Sequence, residues 1–269
     1  MIDRKIAIAL GALVLVGLAT AWEHGWFDGQ DRRVPSGLRR VSAGQQAADE
    51  ARAKLVDKVA RNLREVLAGG GLGPPDPRIL IAMRHLPRHA FVPKQLAPLA
   101  YFDRPLPVGH GQTVSQPFLV ALMTQLADVG SGERVLQVGI GGGYHAALLA
   151  ELGARVHCID LQDPVAEAAM LRLQELGYED VATQIGDGYY GWSGATEDYF
   201  DAIIVRQAVH HLPPPLLAQL KVGGRLVMPV GRPHSMQHLT LVEKNADGSL
   251  TERRILPVRF TTLPGGDRI

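Results

Sequence analysis

The chain of 269 residues sets 28 Lys and Arg against 27 Asp and Glu, so no polybasic surface argues for nucleic acid or for electrostatic attachment to a membrane. A single cysteine, Cys158, excludes an intrachain disulfide and a cysteine-based zinc site. The length suits one sizeable α/β domain with extensions.

After Arg4 and Lys5, the run Ile6 to Trp22 carries no charge. It fits a signal peptide with Ala19-Thr20-Ala21 as a small-residue cleavage site, or a short membrane anchor. Arg32, Arg33, Arg39 and Arg40 on the far side leave its orientation open. The expected division is 1–22 as signal or anchor, 23–45 as polar linker, and 46–269 as the folded domain. From about Ala47 to Leu67, Leu55, Val59, Leu63, Val66 and Leu67 form one stripe of an amphipathic helix, which the glycines from Gly69 to Gly73 stop. Asp76-Pro77 is an N-cap and first-turn pair for a short helix through Met83 and Leu86. The proline-rich passage from Tyr101 to Gly109 reads as ordered loop, and Pro117 starts a helix over Phe118 to Leu126.

The stretch Val135 to Tyr144 organises the folded domain. Four residues of buried strand run into a glycine-rich turn, and His145 to Leu152 has the composition of a helix. Glycines let the backbone turn sharply and let a ligand come close, and the unpaired N–H groups of a helix start face such a ligand. Asp160, closing the next strand about 20 positions on, is placed to bind ribose hydroxyls. Gly139, Gly141 and Gly143 form a G-x-G-x-G frame of the kind used for S-adenosylmethionine. Counting from Gly141 gives G-x-G-x-x-A through Ala146, close to a dinucleotide fingerprint.

Asp163 and Pro164 open a helix that Gly177 ends. Strands are expected at Val181 to Ile185, Phe200 to Val205, and Leu226 to Val230 after a Gly223-Gly224 turn. Alternating strands and helices mean an α/β fold with a parallel sheet. Leu239 to Glu243 and Ile255 to Phe260, around Asp247-Gly248, read as a C-terminal β-hairpin. Cys158 lies inside a strand as a small buried hydrophobe. His210 and His211 are adjacent and lack a third ligand at usual spacing, so no metal is expected.

From about Asp76 to Phe260 the chain resembles the protein-L-isoaspartate O-methyltransferases. The matching pieces are Arg88-His-Ala-Phe-Val-Pro, Tyr101-Phe-Asp-Arg-Pro-Leu-Pro, Gly109-His-Gly-Gln-Thr-Val-Ser-Gln-Pro, the glycine loop, Gly186-Asp-Gly, Asp201-Ala-Ile-Ile-Val, the passage Gln219 to Gly231, and Leu256-Pro-Val-Arg-Phe. The resemblance implies a Rossmann-like methyltransferase sheet with a helical N-terminal extension, S-adenosyl-L-methionine as cofactor, and isoaspartyl proteins or peptides as substrates. It makes Ser115 the active-site residue and places Asp187 and Gly188 at the adenine. Because a carboxylate is already anionic at neutral pH, methyl transfer to it needs position and removal of water more than a strong base. Thr113 and Ser115, on a loop facing the glycine turn, suit that role.

Two positions depart from the family pattern. Gln137 stands where the family usually has Glu or Asp, beside the cofactor's amino group or the substrate. After the fourth strand, Arg206-Gln-Ala-Val-His-His-Leu-Pro-Pro replaces a run of small residues. A homologue that binds cofactor without catalysis, and a methyltransferase for a different carboxylate, are the alternatives these departures raise. Because the cofactor is made in the cytosol, a domain anchored through residues 6–22 and facing the cytoplasm is expected, with export after cleavage near Ala21 as the alternative.

Overall fold

The computed structural model describes residues 43–109, 111–161, 163–232 and 235–263; the expected signal or anchor and nearly all of the linker lie outside them. Helix α1 (Ala43–Gly70) starts the described chain, and buries Leu55, Val59, Leu63 and Leu67 as the stripe predicts. Gly71 ends it at φ +65°, with the Leu72 amide donating to the Leu67 carbonyl. Helix α2 (Pro77–His85) is capped by the Asp76 carboxylate, which accepts from the Arg78 amide, a bond worth about 1 kcal/mol. Helix α3 (Pro117–Ala127) begins at its proline, as expected.

The passage from Tyr101 to Gly109, expected to be loop, ends in a strand, β1 (Leu106–Gly109), which pairs antiparallel with β2 (Gln112–Val114) just beyond it. Next come β3 (Arg134–Val138), α4 (Tyr144–Glu151), β4 (Arg155–Asp160), α5 (Asp163–Glu175), β5 (Ala182–Ile185) and β6 (Phe200–Val205). Helix α6 (Pro214–Gln219), β7 (Leu220–Val230), β8 (Gln237–Lys244) and β9 (Leu250–Val258) complete the described elements. One seven-stranded sheet has the order β5-β4-β3-β6-β7-β8-β9. Strands β3 to β7 pair in parallel, and the predicted hairpin, β8 with β9, continues the sheet antiparallel to β7.

Strand β7 begins earlier than expected. Its register against β6 jumps from Leu220 to Arg225 while β6 advances only from Phe200 to Ala202. Gly223 and Gly224 are therefore a bulge inside the strand and not a turn before it. A Cβ on Gly224 would lie 2.8 Å from the Lys221 carbonyl oxygen and 2.9 Å from that of Asp201, which explains the glycine there.

Side chains alternate across the sheet. Val135, Val156, Cys158, Ala202 and Ile204 face a core built with α1 to α5, whereas Leu136, Val138, Ile159, Ile203 and Val205 pack with Leu216 of α6, Leu220 and Phe200. Cys158 is 1% exposed, and burial pushes its thiol up to about 12, in keeping with a packing role. The sheet runs outward in opposite senses from β3, towards β4 and β5 on one side and towards β6 on the other. That is a topological switch point, and in such sheets ligands sit outside the carboxyl ends of the strands flanking it.

Candidate active site

The glycine loop leaves the sheet at this point. Gly139 turns the chain at φ +86°, its amide donating to the Ile159 carbonyl, and Gly143 at φ +90° precedes the first turn of α4. The sharp turn thus starts at Gly139, at the end of β3, as the G-x-G-x-G frame requires. Asp160, 4% exposed at the end of β4, accepts from the Ile140 amide at 2.8 Å. Asp187 follows β5 and accepts from the Tyr189 amide at 3.0 Å, opening a turn of 3-10 helix at Gly188–Tyr190. Gly188 packs on β3 so closely that a Cβ would lie 2.3 Å from Val138 Cγ1.

Gln137 is fully buried; its Nε2 donates to the Gly139 carbonyl at 2.8 Å, and its Oε1 has no partner. An orphaned buried acceptor beside the glycine turn fits an ammonium group, a role that the family's carboxylate at this position could equally serve.

Not every loop glycine is there for a ligand. A Cβ on Gly142 would come 2.3 Å from Val114 Cγ2 and 2.7 Å from the Phe91 carbonyl. On Gly141 it would meet the Thr113 carbonyl at 2.7 Å and Arg206 Nη1 at 2.6 Å. Hairpin β1–β2 lies directly on the glycine loop, so the close approach predicted for a ligand is, at these two positions, made by the protein itself.

That contact brings Thr113 and Ser115 to the switch point. Both line a cleft of about 520 Å³ together with Gly139, Arg206 and Gln207, and with residues of β9 and the segment after it, from Leu256 to Thr261. Ser115 is 8% exposed. Arg206 binds the two loops to one another: Nη1 donates to the Gly139 carbonyl at 2.8 Å, and Nη2 donates to the Thr113 carbonyl at 3.0 Å and to Ser115 Oγ at 2.8 Å. Burial lowers the Arg206 pKa, an effect opposed by the charge of Asp160.

Sequence reasoning marked Arg206 only as a departure, although a charged residue at the carboxyl end of a buried strand is itself a signal. It missed Arg172 of α5, whose Nη1 holds the Gly142 carbonyl at 3.0 Å. It also missed the β9 side of the cleft, for which no local pattern gives a cue. His210 and His211 bond to each other at 3.2 Å, and His211 Nε2 meets the Tyr189 hydroxyl at 2.8 Å. Among the described residues no group of three His, Cys, Asp or Glu could hold a metal.

A mostly parallel sheet, a glycine turn at its switch point and an acid closing the adjoining strand make a Rossmann-like cofactor fold, and the family that the chain matches makes it a methyltransferase that uses S-adenosyl-L-methionine. A family model described as protein-L-isoaspartate(D-aspartate) O-methyltransferase matches residues 70–268, and the chain belongs to that family. It is 52% identical over 204 residues to protein-L-isoaspartate O-methyltransferase 1 of Nitrosospira multiformis, covering 76% of this chain and 86% of that protein. To protein-L-isoaspartate O-methyltransferase 2 of Polaromonas it is 48% identical over 211 residues, covering 78% of this chain and 99% of the relative. A solved structure of a protein-L-isoaspartate O-methyltransferase superposes with a TM-score of 0.63 at 30% identity, over 76% of this chain and 65% of that one.

Proposed function

We propose that this chain methylates the free carboxylate of isoaspartyl residues in damaged proteins or peptides, with Ser115 and Thr113 at the acceptor. The observation that carries this reading is the cleft in which the Thr113–Ser115 loop meets the glycine turn across Arg206. The cofactor supplies an electrophilic methyl group on a sulfonium. Gly139 and Gly143 shape its cradle, Asp160 takes the ribose hydroxyls, Asp187 and Gly188 lie at the adenine, and Gln137 Oε1 accepts from the amino group.

On the acceptor side the protein has to orient an anion and exclude water. Ser115 Oγ already accepts from Arg206, so its own proton is available to a carboxylate oxygen entering the cleft. The spare acceptor on Gln137 argues against loss of cofactor binding at that position. Methyl transfer from labelled cofactor to an isoaspartyl peptide, and not to its aspartyl twin, tests the proposal. Binding of cofactor without transfer to any carboxylate would reject it.

The uncharged run at residues 6–22 is what supports attachment of the domain to a membrane, or its export. Among the described residues no helix is long and apolar enough to cross a membrane. Taking 46–269 as a domain that folds without that run, deletion of residues 1–40 should leave cofactor binding intact and move the protein out of the membrane fraction. An unfolded truncated chain would end that division.

A further inference from the structure

Arg206 is a buried cation that meets only neutral groups. Its three hydrogen bonds go to two carbonyls and one hydroxyl, and its Nε is buried without a partner. It enters none of the ion pairs among the described residues, and Asp160 acts on it only at longer range. Burying a charge without a counter-ion is costly, and the cost is relieved when an anion arrives. The guanidinium lines the cleft beside Ser115, so an anion entering the cleft comes up against it.

We infer that Arg206 is the acceptor-carboxylate receptor of this enzyme. The inference rests on the proposed reading of Ser115 as an acceptor-side residue. The ligand chemistry is a carboxylate, available both from the acceptor and from the amino-acid end of the cofactor. Position favours the acceptor: Arg206 bonds the Thr113–Ser115 loop and lines the cleft bounded by β9.

The chemistry says what such a cation does. A carboxylate oxygen bonds to the methyl carbon as the carbon–sulfur bond breaks, and that electron pair stays on sulfur. No proton moves, and the products are a neutral ester and a neutral thioether. The acceptor therefore loses its charge as the reaction proceeds, so a guanidinium stabilises bound acid more than the transition state, and the transition state more than bound ester. It selects ionised acceptors and lets the ester go. Its signature is a change in KM, with kcat held or slightly raised when the charge is removed.

The test uses the full chain carrying Arg206→Met, which keeps bulk without charge, and Arg206→Lys, which keeps charge without the fork. Calorimetric titration with an isoaspartyl peptide and with the same peptide carrying that carboxylate as an amide measures carboxylate preference directly, without turnover. The wild type should prefer the acid by about tenfold or more, as for a charge-assisted hydrogen bond. Arg206→Met should bring the preference to within about twofold, and Arg206→Lys should retain part of it. KM for the acceptor should rise about tenfold in Arg206→Met, with kcat and the Kd for S-adenosylhomocysteine within about threefold. An unchanged acid preference in Arg206→Met would overturn the inference and leave Arg206 a strap between loops. A loss appearing instead in the Kd for S-adenosylhomocysteine would assign it to the cofactor's carboxylate and overturn it too. Should the wild type methylate no isoaspartyl peptide, the proposed function fails, while an acid preference lost in Arg206→Met still supports the receptor.

Discussion

The Ile140 amide donates to the Asp160 carboxylate at 2.8 Å, pinning the glycine turn just after Gly139 to the end of the neighbouring strand. Asp160 thereby shapes the loop, and the proposed reading gives it the ribose hydroxyls as well. Asp160→Ala should weaken S-adenosylmethionine binding by about 1–3 kcal/mol, the loss expected when hydrogen bonds to a charged group disappear. Calorimetry reads this directly. An unchanged affinity in a folded variant would restrict Asp160 to a structural role.

Ser115 should matter to turnover and not to the cofactor. Ser115→Ala removes one oxygen, leaves Arg206 Nη2 its bond to the Thr113 carbonyl, and changes no charge. Turnover on isoaspartyl peptide should fall about tenfold or more, the equivalent of one positioning hydrogen bond, with cofactor affinity nearly intact. Wild-type turnover in the variant would make the loop a structural turn.

Gly142 tests how the β1–β2 hairpin is seated. It is not among the glycines with positive φ, so alanine meets no backbone strain there. Its methyl would instead collide with Val114 and the Phe91 carbonyl. Gly142→Ala should displace the hairpin carrying Thr113 and lower stability by about 1–3 kcal/mol, the usual range for overpacking. Urea denaturation measures the loss, and a variant as stable as wild type would show that the hairpin moves freely off the loop.

His145 should give the protein an acid-sensitive step. The Thr124 hydroxyl donates to the Val120 carbonyl, so His145 Nε2–H donates to Thr124 Oγ1 at 2.9 Å, and Nδ1 is left buried and unpaired. Burial, reinforced by the charge of Arg206, lowers its pKa to about 3. The unfolded chain takes up the proton near pH 6.5 and the folded one does not, so this contribution is full above pH 6.5 and is lost as pH falls towards 3. Between pH 7 and 5 the wild type should lose about 2 kcal/mol more than His145→Leu. Urea midpoints at the two pH values check this; parallel losses would mean that His145 does not titrate on unfolding.

Much of the framework is legible along the chain because its causes are short-range. Asp76-Pro77 caps α2, Pro117 opens α3, and the apolar run before Gly139 ends in a turn that only a residue tolerating positive φ can make. Asp160 is reachable by counting, since one helix and one strand of ordinary length separate it from the glycine turn. The double glycine at 223–224 misleads for a related reason. A bulge and a turn ask the same of a backbone, and only the pairing partner across the sheet separates them.

The sequence by itself determined the class of fold, the glycine turn after β3 with the acid that closes β4, and the family to which the chain belongs. The tertiary structure decided what surrounds that serine. Arg206 reaches Ser115 across 91 residues of chain because β6 lies beside β3 and the β1–β2 hairpin is laid over the glycine loop. Neither condition leaves a periodicity or a turn signal near Arg206, since both arise from the order of strands in the sheet and from the close packing that Gly141 and Gly142 permit. Local propensity acts over a few residues, and a charge set between two loops is placed by the whole sheet.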